Sequence, residues 1–158
     1  MAVVVRRANR DDARTIAEFA LKLVEQHREY DPVRFARLGD LDGMAWFYGG
    51  QTEAENAVVL VAEIENRVIG FAYLEYQSRN YADLAMSSVR LHDIYVDASA
   101  RGSGGGKKLI EAVVEEAAHF GAAKILLSVA EKNTFAREFF QNSGFRTTML
   151  EMMLELPS

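Results

Sequence analysis

The chain has no cysteine, two prolines, one tryptophan and only three histidines among its 158 residues. The missing cysteines exclude disulfides, thiolate nucleophiles and thiolate-ligated metals together. His27, His92 and His119 lie far apart without a ligand-like spacing, so no metal site is expected. No apolar run approaches the ~20 residues of a membrane-crossing helix. After a few apolar residues the N-terminus meets Arg6-Arg7 and Asp11-Asp12, so no leader is read there. A cytoplasmic protein with no membrane partner is expected. Positive charge is also in deficit: 18 basic residues against 23 acidic ones give a net charge of -5. That balance argues against a nucleic acid and for a cationic partner. No repeat, low-complexity tract or linker interrupts residues 1–158, which read as a single domain with enough apolar residues, 49%, for a sizeable core.

What is present concentrates at Arg101-Gly102-Ser103-Gly104-Gly105-Gly106, six residues that hold four of the chain's 11 glycines. Val89 to Val96, before this loop, is rich in β-branched and aromatic residues and reads as a strand. After it Leu109, Ile110, Val113, Val114 and Ala117 recur at helical spacing. The first amides of a helix have no partner within it and lie at the positive end of its dipole, which makes an anion site. Glycines admit a phosphate close to the backbone, and Arg101 and Lys107 add charge, so a pyrophosphate-bearing cofactor is the natural guest. The plain alternative is a solvent turn.

Elsewhere Val3 to Val5 reads as a first strand, and Asn9 as the cap of a helix whose apolar face carries Ala13, Ile16, Ala20, Leu23 and Val24. Asp31-Pro32 breaks that pattern, and the segment Asp31 to Glu55 reads as irregular. Ala57 to Glu63 and Val68 to Tyr76 form a hairpin over Glu65-Asn66-Arg67, and Gln77 to Ser87 is a polar connection. Ile125 to Val129 reads as a buried strand, completing a βαβ crossover. Asn133 caps a short helix ending near Gly144, and Phe145 to Leu156 reads as a long final strand with Leu150, Met152, Leu154 and Leu156 on one face. The pattern is a mixed α/β fold.

Two phosphate motifs fail on spacing. A Walker loop needs Ser or Thr after its lysine, whereas Lys107 is followed by Lys108. A Rossmann turn needs two residues before its last glycine, whereas Gly102, Gly104 and Gly106 alternate singly. Arg101-x-x-Gly104-x-Gly106 resembles instead the acetyl-CoA loop of the GNAT superfamily of N-acetyltransferases. The resemblance extends to Leu91-His-Asp-Ile-Tyr-Val96, to Asn133-x-x-Ala136-x-x-Phe139-Phe140-x-x-x-Gly144-Phe145 and to Arg6-x-Ala8-x-x-Asp11, and covers essentially the whole chain. Gly70-Phe71-Ala72 with Leu91-x-Asp93 is similar to the polyamine (diamine) acetyltransferase branch.

The resemblance implies a mostly antiparallel central sheet with one parallel βαβ crossover at the acetyl-CoA site and helices on both faces. It implies acetyl-CoA as cofactor, with Ile94, Tyr95 and Val96 along the pantetheine arm, Arg101, Gly102, Ser103, Gly104, Gly105, Gly106 and Lys107 on the pyrophosphate, and Asn133 and Phe140 near the thioester. Asn133 is alternatively only a helix cap. Direct transfer requires a neutral amine, whereas an alkylamine of pKa ~10.4 is protonated at neutral pH. His92 is the expected base, where polyamine-acetylating relatives place a glutamate; the plain alternative is a hydrogen-bonded sheet residue. Asp93 and Glu75 are expected to serve through water or to hold the cation. Strand alternation puts His92 on the face opposite Leu91 and Asp93. Phe140 departs from the family, many of whose members carry there a tyrosine that protonates the leaving thiolate.

Trp46, Tyr76, Tyr81 and Glu75 are the expected acceptor contacts, although such aromatics more often serve core or rim packing. The expected activity is acetyl transfer to a primary amine, a small cationic one such as a polyamine. Rival readings are an acyl-CoA-binding regulatory module without catalysis, and an enzyme acting on an aminoglycoside or a protein amine. Because family members often pair through their last strands or helices, a homodimer is one expectation, with Met149, Met152 and Met153 either on its face or in the core.

Overall fold

Five strands form one sheet in the order β1 (Val4–Arg7), β2 (Ala57–Ile64), β3 (Arg67–Asn80), β4 (Ala85–Val96) and β5 (Lys124–Leu127) in the computed structural model, which describes residues 2–158. All neighbours are antiparallel except β4 and β5. The β2–β3 hairpin closes through Glu65 and Asn66, whose φ values of 50° and 64° give the turn geometry that matches strand twist. β3 and β4 run further than the polar character of Gln77 to Ser87 suggests. Gln77 pairs with Ser88, Arg79 with Met86 and Asn80 with Ala85. An antiparallel ladder satisfies the backbone whatever the side chains, so polarity on an exposed two-stranded extension does not end it.

Helices cover both faces. α1 (Ala13–Tyr30) and α2 (Leu41–Gln51) lie on one side, where Ile16, Phe19, Ala20 and Tyr48 pack on Val59, Val61, Phe71 and Tyr73. On the other, α3 (Gly105–Phe120) and α4 (Thr134–Asn142) bring Leu109, Ile110, Val113 and Phe140 onto Leu60, Ile69, Leu74, Val89 and Leu91. Asn9 caps a short turn, Arg10–Asp12, that leads into α1. Its side chain accepts from the Asp11 amide at 2.9 Å, while Asp12 accepts from the Asn9 amide at 2.9 Å.

The segment Asp31 to Glu55 is not irregular, because α2 lies within it. Three glycines (Gly43, Gly49, Gly50) depress its helix propensity and its apolar residues do not keep to one stripe. Asp40 starts it by accepting from the Gly43 amide at 2.7 Å, and tertiary packing holds it: the Tyr48 ring meets Phe71 at 5.6 Å and Tyr73 at 5.8 Å. The expected last strand is also absent. Gly144, at φ 101°, turns the chain out of α4, and Phe145 bonds back to the Phe140 carbonyl at 3.0 Å. Residues 146–158 then run exposed, without a backbone partner among the described residues. Alternation shows what a segment does when paired, and no free edge of its own chain receives it. Among the described residues no helix is long and apolar enough to cross a membrane.

Candidate active site

β4 and β5 pair only from Ser88–Leu91 to Lys124–Leu127. Beyond Leu91 the strands part: β4 continues to Val96 while the other chain leaves through Ser128, Val129 and Ala130. The opening is a cleft of about 740 Å³ whose walls include Ile94, Tyr95, Val96, Ser128, Asn133 and Phe140. On this side the backbone of residues 93–96 has no β5 partner, which suits an extended amide-bearing chain.

At the cleft's end stands the glycine loop. Asp97 caps the short turn Ala98–Ala100, and its carboxyl is held down to about 2 by hydrogen bonds from Ser99 and Lys22. Gly102 and Gly104 adopt φ of 82° and 87°, the left-handed region that a Cβ disfavours. The first bond of α3 runs from the Lys108 amide to the Gly104 carbonyl at 3.1 Å. The amides of Gly102, Gly104, Gly106 and Lys107 find no acceptor among the described residues. Four open donors at a helix N-terminus, beside Arg101 and Lys107, fit a pyrophosphate. A Cβ on Gly106 would stand 3.2 Å from the Phe139 ring, so a larger residue there would push that ring back by a few tenths of an ångström. Arg101 is oriented by donating to the Val96 carbonyl at 3.2 Å, and the Ser103 hydroxyl accepts from the Gly105 amide at 3.2 Å rather than lining the cleft.

A bulge sits where the strands part. Tyr73 pairs with Asp93 and Leu74 with Leu91, so His92 is an extra residue in β4. Leu91 stays in the core under α3, His92 stacks on Tyr73 at 5.1 Å, and Asp93 accepts a 2.7 Å hydrogen bond from the Tyr48 hydroxyl. His92 and Asp93 therefore share the α1–α2 face. The alternation that set Asp93 with Leu91 is corrected by this one inserted residue. Alternation resumes beyond it, with Ile94 and Val96 on the α3 core and Tyr95 against Phe19.

Asp93 is partly open to the cleft yet closely enclosed by protein. Loss of water raises its pKa above the usual carboxylate range, against the Tyr48 hydrogen bond and the charges of His92 and His27. Burial, then the Asp93 charge, pushes the Tyr48 hydroxyl far up, and the Tyr73 hydroxyl is pushed up to about 12 by burial, Glu75 and Asp93. Nε2 of His92 lies 3.4 Å from Oε1 of Glu75, an oxygen that also accepts from the Gln77 side-chain NH₂ group at 3.1 Å. Around this group Leu23, His27, Phe35, Leu38 and Met44 wall the cleft. Asp93 is the only carboxyl among its described lining residues.

The structure thus brings His92, Asp93, Ile94, Tyr95, Val96, Arg101, Gly102, Gly104, Gly105, Gly106, Lys107, Asn133 and Phe140 to one cleft. Glu75 stands behind His92. Asn133 is a helix cap, its oxygen accepting from the Ala136 amide at 3.1 Å, which leaves its NH₂ group for a ligand. Phe140 is buried between Phe139 and Phe145 at 5.5 and 5.7 Å. The other expected acceptor contacts lie elsewhere. Tyr76 stacks on Phe120 at 5.2 Å on the α3 face, and Trp46 and Tyr81 are 80% and 77% exposed and do not line the cleft. Tyr48, two residues after Trp46, occupies that wall instead. No signal in the sequence marks it, since the helix that carries it has no clear pattern.

The chain belongs to the Acetyltransferase (GNAT) family, whose sequence profile matches residues 19–145. It is an acetyltransferase that uses acetyl-CoA, and its split strands and glycine loop fit that cofactor. It is similar to the uncharacterized N-acetyltransferase YhfO of Bacillus subtilis, with 29% identity over 157 residues and 98% of each chain covered. A mutant of the BH1408 protein from Bacillus halodurans shares its fold with a TM-score of 0.86 at 22% identity, over 98% of this chain and 99% of that one. The aminoglycoside N-acetyltransferase AAC(6')-Iy, solved with a bisubstrate analog, does so with a TM-score of 0.76 at 20% identity, over 100% of both chains.

Proposed function

We propose that the protein acetylates a primary amine held against Asp93, and that this amine carries one ammonium group on an apolar body. The observation that carries the reading is the acceptor end of the cleft, where one carboxyl, fixed by Tyr48, shares the wall with apolar Leu23, Phe35, Leu38 and Met44 as well as His27 and Arg34. An ammonium beside Asp93 supplies the counter-charge that the enclosed carboxyl lacks, and the apolar walls receive the rest of the molecule. A polyamine or an aminoglycoside brings several ammonium groups, and all but one would lose water without gaining a carboxylate partner. The lining therefore supports a simpler amine than the polyamine expected from the sequence.

Acetyl-CoA supplies a thioester carbonyl, at which the amine's lone pair forms a C–N bond as the C–S bond breaks. The chain's part is to hold both reactants and take the ammonium proton; the second proton, lost from nitrogen as the amide forms, passes through solvent to the departing thiolate. His92, half-exposed at the bulge on the face of Asp93, accepts the ammonium proton while Asp93 keeps the nitrogen in place. Residues Arg101 to Lys107 hold the pyrophosphate, the backbone of Ile94 to Val96 holds the pantetheine arm, and Asn133 offers its NH₂ group near the thioester. Phe140 has no proton to give, so the thiolate leaves unaided, which its ordinary pKa near ~8.5 permits. Two copies, each one domain, are proposed to work as a cytoplasmic homodimer, a compartment that suits a chain without cysteine.

Thiol release over an amine panel tests the reading. Phenethylamine and other apolar monoamines are expected to exceed spermidine and a representative aminoglycoside by about tenfold or more in kcat/KM; the reverse order sinks the assignment. One observation favours a second reading: buried Phe140 leaves the acid position without a proton donor. Calorimetric binding of acetyl-CoA with no thiol release for any amine would make the protein an acyl-CoA-binding module.

A further inference from the structure

The acceptor half of the cleft holds basic side chains beside its carboxyl: His92 on β4, His27 on α1, and Arg34 in the connection from α1 to α2. Of these only Arg34 keeps its charge at every working pH. Its place is set locally. The Asp31 carboxylate accepts from the amides of Val33 and Arg34, each at 3.1 Å, and the Phe35 amide donates to the Asp31 carbonyl at 3.0 Å. The Arg34 guanidinium lies over the Phe35 ring, 4.9 Å from its centroid, and the His27 ring meets Phe35 from elsewhere at 4.9 Å between centroids. His27 is fixed in turn by the Leu23 carbonyl, 2.8 Å from its Nδ1, and stands near enough to Asp93 for its charge to act on that carboxyl. Arg34, Phe35, His27 and Asp93 are thus successive neighbours, with a cation at one end, a carboxyl at the other and two rings between.

The fold leaves part of Arg34 free. Nε and Nη2 donate to Glu151, Nη2 at 2.9 Å, but 67% of the Glu151 side chain is open to solvent, so the pair orients the guanidinium more than it stabilises the chain. Nη1 has no acceptor among the described residues. A guanidinium is a planar fork with several donor edges, and the edge that Nη1 shares with Nη2 is available to a second carboxylate.

We propose that the preferred acceptor carries a carboxylate as well as its amine, the two at opposite ends of an apolar spacer about one ring long, with the ammonium on Asp93 and the carboxylate on Arg34. The inference rests on the reading above of Asp93 as the ammonium site and adds the group at the far end of the molecule. Charge favours it. A plain monoamine answers Asp93 and leaves Arg34 with only a solvent-exposed partner, whereas the zwitterion matches both poles of the wall. A polycation meets a like charge at Arg34. An α-amino acid is too short, because its two charges are one carbon apart while two rings separate Arg34 from Asp93.

Phenethylamine, its para-carboxylate and its uncharged para-carboxamide share one shape and test the assignment in thiol-release assays with acetyl-CoA, with spermidine alongside. The carboxylate is expected to exceed the other two by about tenfold in kcat/KM, almost wholly through KM. Arg34→Gln is expected to bring the ratio of carboxylate to carboxamide near one, and Arg34→Glu to invert it. Arg34 is exposed, and circular dichroism with acetyl-CoA calorimetry reports that each variant is folded with its donor site intact. A carboxylate no better than its carboxamide, or a preference that survives Arg34→Gln, overturns the Arg34 site; with phenethylamine still ahead of spermidine, the Asp93 reading stands. Spermidine ahead of all three, or no thiol release from any of them, overturns both.

Discussion

The hydroxyl of Tyr48 donates a 2.7 Å hydrogen bond to Oδ2 of Asp93, joining a glycine-containing helix to the residue just after a β-bulge. The bond fixes the orientation of the one carboxyl among the described residues of the cleft lining, and supplies a donor that partly offsets its lost hydration. Both partners depend on local irregularity. Without the bulge Asp93 would point to the α3 core, and without α2 there would be no Tyr48 to meet it.

Removing the donor exposes the cost. Tyr48→Phe leaves Asp93 enclosed with one bond fewer and is expected to destabilise by about 1–2 kcal/mol at neutral pH. The Asp93 pKa is already raised by burial, so its ionised form weakens the fold. That penalty is absent below the unfolded value near ~3.9 and appears as pH rises through the folded value. The variant's deficit in thermal melts should therefore shrink on acidification. A deficit constant from acid to neutral pH would mean that ring packing, not the carboxylate, accounts for it.

Asp93→Asn keeps an acceptor for the Tyr48 hydroxyl and removes the charge. Its expected signature is a split: an unchanged or higher melting temperature at neutral pH, unchanged acetyl-CoA affinity, and a fall in kcat/KM for the amine of about 10²-fold. Calorimetry, thermal melts and thiol-release kinetics on one preparation read all three. A loss of acetyl-CoA affinity equal to the loss of activity would place Asp93 on the donor side of the cleft.

His92 stacks on Tyr73 and touches Glu75 only at 3.4 Å, so it is held without a strong partner for its imidazole. With His92 as base, His92→Ala lowers kcat by about 10²- to 10⁴-fold. The loss is largest at low pH, where neither solvent nor hydroxide replaces the imidazole. A full pH–rate profile checks this, and an unchanged profile would reduce His92 to a sheet residue.

The β4–loop–α3 unit is legible in the sequence because its signals are local. Arg101, Gly104 and Gly106 sit at fixed offsets, and Leu109, Ile110 and Val113 carry a clear period into the helix that follows. α2 escapes because Tyr48 is held by Phe71 and Tyr73, residues of a distant strand, while its own glycines speak against a helix. The side chain of Asp93 is misdirected because a bulge leaves no trace in alternation; it is visible only as Tyr73 and Leu74 facing Asp93 and Leu91. Residues 146–158 show the converse, a readable strand alternation that no strand of the sheet pairs with.

Gly104 tests the loop. Its φ of 87° begins α3 and leaves neighbouring amides open. Gly104→Ala is expected to cost about 1–2 kcal/mol of strain and to weaken acetyl-CoA about tenfold, equivalent to ~1.4 kcal/mol, while an added Cβ meets no atom within 4 Å. The effect would thus be conformational rather than steric. Titration calorimetry that finds full affinity in a destabilised protein would show that the loop amides do not bind the cofactor.

Phe140 sits at the remaining chemical gap. It lines the cleft, is 8% exposed, and is packed between Phe139 and Phe145, so only a small part of the side chain can meet a departing sulfur. Phe140→Tyr adds one hydroxyl at the tip of the ring. Turned into the cleft, the hydroxyl donates to the thiolate and raises kcat by up to about 10²-fold, since general-acid assistance is worth ~10²–10⁴ where the leaving group needs it. Turned into the aromatic cluster, it is a buried polar group without a partner and costs about 1–3 kcal/mol of stability. The cleft-facing position predicts the first outcome: faster turnover, retained acetyl-CoA affinity and a melting temperature close to the parent's. Slower turnover with a lowered melting temperature would show that the sulfur leaves along another wall, past Ser128 or Asn133.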